Sequence, residues 1–212
     1  MKYLFILFLI FANNFYGQNV RATESLWDLI RSNSNLKYDS ERIEIIKASD
    51  KYNSNQYLIN RLSKNGQRYL YYTVKEGLRK NLPVELSLIP FVESQFDPYA
   101  RSATGASGIW QFIPSTAREN GLKKNWWYDG RRDIVASTEA AYGFLSKLYE
   151  RYGDWLIAIA AYNAGPSRIK KEIEKNKKNG LPTDFWSLNL PRETKAYVPK
   201  ILAIVELIRN PD

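Results

Sequence analysis

Helical periodicity runs through this chain almost without interruption. From Glu24 to Leu207 apolar residues recur at spacings of three and four, and few runs alternate as a strand would. A chain so patterned buries its apolar faces by packing helix on helix. Its 212 residues, 44% hydrophobic and 25% charged, suffice for one sizeable core and are too few to promise two. The segments that read as helices are roughly 23–31, 40–52, 55–63, 67–80, 83–96, 114–120, 134–151, 153–164, 166–179 and 191–209. Ser40 and Asp154 stand where N-caps belong, Pro83 and Pro114 where a first helical turn tolerates proline, and Gly165-Pro166 closes a helix. Residues 97–113 form the longest stretch without helical periodicity, and a long loop in a compact domain is where a site is sought.

The N-terminus is Met1-Lys2 followed by ten apolar residues, Tyr3 to Ala12, and a short polar stretch. Crossing a bilayer as a helix takes about 18 or more apolar residues, so this run reads as a secretory signal peptide over residues 1–17, with an uncleaved anchor as the alternative. Its removal takes away Lys2 and no acid, so the formal charge goes from +9 to +8 and the exported protein stays strongly basic. A basic balance favours an anionic partner such as nucleic acid, acidic lipid or an acidic wall polymer, and export points to the wall. With no cysteine, disulfides, thiol catalysis and a lipid carried on an N-terminal cysteine are excluded. With no histidine, serine-histidine triads and the commonest metal ligand are excluded too. No metal or other cofactor is expected.

In the segment from Pro83 to Phe96, the residues Leu86, Ile89, Glu93 and Phe96 fall on one helical face. Glu93 thus occupies a position where the pattern asks for a hydrophobe. Desolvation raises a carboxyl pKa, which is what a general acid working near neutral pH requires. The other reading is a boundary glutamate whose tip reaches solvent. Glycosidases generally pair such an acid with a second carboxylate, but Asp97 precedes Pro98, which takes it off the helix. Asp129 and Asp133 lie in "YDGRRD", where acids cap helices or pair with arginines. No convincing partner stands near Glu93 in the sequence.

In "SATGASGIWQ", Gly105 and Gly108 allow close backbone approach, and Gln111 offers a neutral donor and acceptor suited to sugar hydroxyls and acetamides. In "AIAAYNAGPSR", Tyr162 and Asn163 end an alanine-rich helix, either as a polar pair facing a cleft or as a core tyrosine and a helix stop. Tyr197 shares a stripe with Ile201, Ile204 and Ile208, where core packing is the default. Of the six tryptophans, one or two are expected to face a ligand.

Taken together, "ES" at 93–94, "GxxQ" from Gly108 to Gln111, "AYNAG" from Ala161 to Gly165 and "ETKAYV" from Glu193 to Val198 resemble the lytic murein transglycosylases with a goose-lysozyme-like SLT domain. Within that family the likeness is greatest to the membrane-bound transglycosylase D subgroup, through residues 82–94, "GIWQFIPSTAR", "NWWYDGRRD" and "GLPTDFW", with Asn81 in place of a glycine. The resemblance runs from about Leu26 to Arg209. It implies a mainly α, lysozyme-like single domain, with residues 18–80 an N-terminal helical extension packed on a catalytic domain at 81–212. It implies cleavage of the β-1,4 bond between N-acetylmuramic acid and N-acetylglucosamine in peptidoglycan glycan strands, leaving 1,6-anhydromuramoyl ends, with Glu93 as the single catalytic acid and base. The attacking group belongs to the substrate, so no second protein carboxylate is needed. Ser94 and Ser102 would orient the acid and the nearby sugar, Gln111, Tyr162 and Asn163 would hold acetamides, and Tyr197 would bond to Glu93.

The subgroup commonly carries a lipobox cysteine and wall-binding repeats, whereas this chain has no cysteine and ends at Asp212. A periplasmic monomer without a stable membrane anchor is therefore expected. A hydrolase of the same fold that uses water is one alternative, and a non-catalytic wall-binding or scaffold protein is another. Nucleic-acid binding is not expected, because basic runs such as "IKKEIEKNKKNG" are interspersed with acids and resemble no reading module.

Overall fold

The computed structural model describes residues 25–210, and the expected signal peptide at 1–17 lies outside them. Nine α-helices span the described residues: α1 (Leu26–Asn33), α2 (Ile43–Asn53), α3 (Gln56–Arg79), α4 (Ile89–Ser94), α5 (Pro114–Glu119), α6 (Ile134–Tyr152), α7 (Trp155–Ala164), α8 (Pro166–Lys178) and α9 (Arg192–Arg209). Tight 3₁₀ turns at Val84–Leu88 and Phe185–Ser187 join them. Extended pairing among the described residues is confined to isolated bridges, Arg101 with Ser107, Ser107 with Phe112, and Lys124 with Asp129.

Helix α7 organises the rest. Its sequence, WLIAIAAYNA, is apolar on every side, and Leu156 through Ala161 are all buried. A helix without a polar face must be covered on all sides, and α6, α8 and α9 pack against it. Its alanines let those neighbours come close. Asp154 caps its N-terminus by accepting the Ile157 N–H at 3.0 Å, and Gly165, at φ 87°, turns the chain directly into α8.

The N-terminal helices close the other side. Helix α2 lies along α9, while α3 packs on the 84–88 turn and on α6. Glu85 locks this junction: fully buried, it accepts the N–H groups of Asn35 and Leu36 at 2.8 and 2.9 Å and stands 3.6 Å from the Arg209 guanidinium. Tyr38 adds a bond to Glu206 at 2.6 Å. Residues 25–80 are thus fastened to both ends of the remaining chain.

Three boundaries differ from expectation. Residues 55–63 and 67–80 form one 24-residue helix, with Gly66 inside it. A mid-helix glycine costs about 1 kcal/mol, a cost that packing of Leu62, Leu70 and Val74 in the core outweighs. Helix α2 begins at Ile43 behind Arg42, so Ser40 is not its cap. The segment 83–96 is a 3₁₀ turn followed by a six-residue helix, and the chain leaves it through left-handed Gln95 and Phe96, at φ 54° and 60°.

Candidate active site

Glu93 sits in the last turn of α4, and the stripe predicted around it is real: Leu86, Ile89 and Phe96 are all buried. Phe96 reaches the core by the left-handed turn rather than by continued helix. Glu93 itself is half-buried and lines a cleft of about 350 Å³. Tyr197 donates its hydroxyl to Glu93 Oε1 at 2.5 Å from across the cleft floor. Burial pushes the Glu93 carboxyl up to about 7, with the Tyr197 bond opposing the rise, the Glu193 charge adding to it and Lys200 lowering it. Burial, together with the neighbouring Glu93, holds the Tyr197 phenol well above its ordinary value. Tyr197 therefore stays a donor. Helix α9 can aim it because Ile201, Ile204 and Ile208 anchor the same face in the core.

The loop 97–113 forms one wall. Ser94 ties this loop to α4, donating to the carbonyls of Pro90 at 3.1 Å and Ile109 at 3.0 Å. Its hydroxyl is a fastener under Glu93, and Ser94 does not line the cleft. Ser102 does line it, while its hydroxyl accepts the Ala106 N–H at 3.0 Å and pairs with Thr104 at 2.9 Å. Gln111 adopts φ 49° and spends its amide donors on the carbonyls of Gly108 at 2.8 Å and Ala100 at 3.3 Å. That fixes which way the amide faces and leaves its oxygen as an acceptor.

Gly108 explains why the loop holds its shape. At φ +82°, a Cβ there would fall 1.7 Å from the Arg131 carbonyl oxygen, so the close approach that glycine permits is to the chain's own backbone. Arg131, only 4% exposed, then donates to the carbonyls of Gly105 at 2.7 Å and Phe112 at 3.2 Å, and Asp129 holds its guanidinium at 2.6 Å. Asp133 caps α6 by accepting the Ala136 N–H at 2.9 Å. Both acids of "YDGRRD" are thus structural.

The opposite wall comes from the end of α7. Asn163 accepts the Thr194 hydroxyl at 2.8 Å, which orients the amide and leaves its N–H groups as donors at the cleft. Tyr162 lines the cleft beside it, but its hydroxyl proton goes to the Trp110 carbonyl at 2.7 Å. Its ring is wedged among Trp110, Phe112 and Phe144. Tyr162 thus offers a ring surface and one oxygen acceptor rather than a hydroxyl donor.

Five of the seven residues singled out in the sequence (Glu93, Ser102, Gln111, Tyr162 and Asn163) meet in one cleft. Tyr197 touches it through Glu93, and Ser94 lies behind it. Two residues escaped sequence reasoning. Glu193, exposed at the start of α9, lines the cleft and acts on Glu93 through its charge. Arg131 was read only as a partner for the acids of its run, and its bonds to the loop were not foreseen. The tryptophans most open to solvent, Trp126 and Trp127, are 88% and 90% exposed and border a separate hollow with Tyr99.

Comparison with known proteins bears on the family and the fold. The model of the transglycosylase SLT domain matches residues 71–183. Membrane-bound lytic murein transglycosylase D of Escherichia coli K12 is 43% identical over 195 residues, covering 92% of this chain and 43% of that protein. Membrane-bound lytic murein transglycosylase F of Desulfosudis oleivorans is 30% identical over 108 residues, or 48% of this chain and 22% of that one. The chain thus spans less than half the length of these curated relatives. Among solved structures, the lytic transglycosylase Slt of Pseudomonas aeruginosa, determined as an inactive mutant, aligns with a TM-score of 0.52 at 24% identity over 94% of this chain and 34% of that one. This likeness supports the mainly α, lysozyme-like fold expected from the sequence. Matched by the domain model over more than half its length and by a close relative over nearly all of it, the chain belongs to the transglycosylase SLT family.

Proposed function

We propose that this protein is a peptidoglycan lytic transglycosylase in which Glu93 serves in turn as acid and base. The observation that carries the reading is a carboxyl held at about 7 by burial, bonded by a buried tyrosine and set in a cleft lined by amide groups. Near neutral pH such a group is protonated often enough to donate and ionised readily enough to accept. Glu93 protonates the oxygen of the β-1,4 bond between N-acetylmuramic acid and N-acetylglucosamine as the C1–O bond breaks. The muramoyl C6 hydroxyl oxygen then bonds to C1, and its proton goes to the Glu93 carboxylate. Glu93 ends as it began, and water is not consumed. Gln111 and Asn163 present an acceptor and donors of the kind that acetamides pair with, and Tyr197 favours the ionised stage of Glu93 by its hydrogen bond. Ser94 fixes the height of Glu93 against the loop, and Ser102 shapes the wall beside the reacting sugar.

Residues 81–212 form the catalytic domain in this reading, and 18–80 an extension that buttresses it. The protein works in the periplasm, exported by residues 1–17, as a monomer with no metal or other cofactor. Purified peptidoglycan sacculi test the activity. The wild-type protein should release soluble muropeptides and Glu93→Gln should not. Release by the variant within tenfold of wild type would reject Glu93 as the acid.

A further inference from the structure

A larger groove of about 690 Å³ runs beside the Glu93 cleft, between α2 and α9, and plays no part in the mechanism above. Its floor is apolar, with Phe91, Val92 and Pro199. Its rims carry five cations, Lys47 and Lys51 from α2 and Arg192, Lys195 and Lys200 from α9. None of these five joins an ion pair among the described residues. The one acid lining the groove, Glu44, stands 3.5 Å from Arg42. The groove therefore presents a concentrated and unmatched positive field over a greasy base.

The two hollows share walls. Val92 lines the groove and its neighbour Glu93 the cleft, and Arg192 and Glu193 divide in the same way. Lys200 lines the groove and also acts on Glu93 by its charge. The groove and the cleft therefore flank the same turns of α4 and α9.

Muramic acid differs from glucosamine in one respect that matters here: its lactyl ether carries a short peptide. That peptide is rich in carboxylates and in alanine methyl groups, whereas the glycan that bears it is uncharged, its lactyl carboxyl being tied up in the amide. Resting on the transglycosylase reading, we propose that the groove binds the peptide stem of the muramoyl unit, its carboxylates facing the five cations and its methyl groups the apolar floor. The match is one of charge and shape. A neutral saccharide chain would gain nothing from five unpaired cations, while an acidic stem is both steered and held by them.

The test uses the full chain and two substrates, glycan strands with stems intact and strands whose stems an amidase has removed, which keep one short lactyl carboxylate on each muramoyl ring but none of the carboxylates of the stem. Lys47→Glu/Lys51→Glu reverses two charges on α2, both exposed and neither lining the Glu93 cleft. On intact strands kcat/KM should fall about tenfold, chiefly through KM, while on stripped strands it should stay within about twofold. Lys47→Gln/Lys51→Gln should give a smaller loss with the same selectivity, and it serves if the reversal disturbs folding. Raising the ionic strength should erode the wild-type preference for intact strands in the same way. Equal losses on both substrates would make the groove a saccharide site and overturn the proposal. No loss on either would overturn it as well. If the wild-type protein cleaved neither kind of strand, the transglycosylase reading itself would fall.

Discussion

Glu93→Gln should make the protein more stable above neutral pH even as it removes activity. In the folded state burial holds the Glu93 carboxyl at about 7 rather than the ordinary 4.5. A group that binds its proton more tightly when folded contributes stability in full below its unfolded value and loses that contribution as pH rises through its folded value. At 1.36 kcal/mol per pH unit, the loss between 4.5 and about 7 has a ceiling of about 3 kcal/mol. Solvent reaches Glu93 from the cleft, which brings the expected figure to about 1–3 kcal/mol. Glutamine keeps the shape and the oxygen that accepts from Tyr197, yet never ionises. Thermal unfolding should therefore show the variant melting about 2–12 °C above wild type near pH 9, at about 2–4 °C per kcal/mol for a chain of this size. The two curves should converge below about pH 4.5, where both side chains are neutral. Parallel curves across the whole range, or a less stable variant near pH 9, would refute the claim that Glu93 is held protonated by burial.

Five further substitutions probe the surrounding machinery. Tyr197→Phe removes the bond that lowers the Glu93 pKa, so kcat should fall and the basic limb of the pH-rate profile should move above about 7. The ring stays packed, so stability should change by about 1 kcal/mol or less, and an unchanged profile would reduce Tyr197 to core packing. On the proposed reading, in which these amides hold the sugar in both ground and transition states, Gln111→Ala and Asn163→Ala should each raise KM and lower kcat; steady-state kinetics on purified glycan strands decides. Gly108→Ala should cost about 3 kcal/mol or more in urea unfolding, since its Cβ would meet the Arg131 carbonyl at 1.7 Å. Gly105→Ala, at the same φ of +82° with no atom within 4 Å, should cost only about 1 kcal/mol of backbone strain.

The sequence made Glu93 legible because an acid on an apolar stripe is a local contradiction, and such contradictions gather at working sites. Periodicity identified which residues are buried better than it identified the path of the chain. Leu86, Ile89 and Phe96 are all in the core, but a 3₁₀ turn and two left-handed residues bring them there. Pattern alone cannot register a change of helical pitch inside one short run. The division of residues 56–79 at Gly66 failed for a different reason, since local propensity there yields to packing of the helix on α6 and the 84–88 turn. Glu193 was illegible as a cleft residue because it lies far from Glu93 in sequence, on the exposed first turn of α9. Arg131 was legible only in part: the pairing of acid with arginine expected of "YDGRRD" is there, but nothing in the run tells that Asp129 neutralises this arginine well enough for it to turn inward and staple the loop.

The central claim is that the substrate's own hydroxyl, and not water, completes the reaction at Glu93. Mass spectrometry of the muropeptides released from purified peptidoglycan tests it most directly. The account predicts muramoyl ends lighter by one water than reducing ends and resistant to borohydride reduction, formed by the wild-type protein and absent with Glu93→Gln. Reducing ends as the main product would contradict it and make the protein a hydrolase of the same fold.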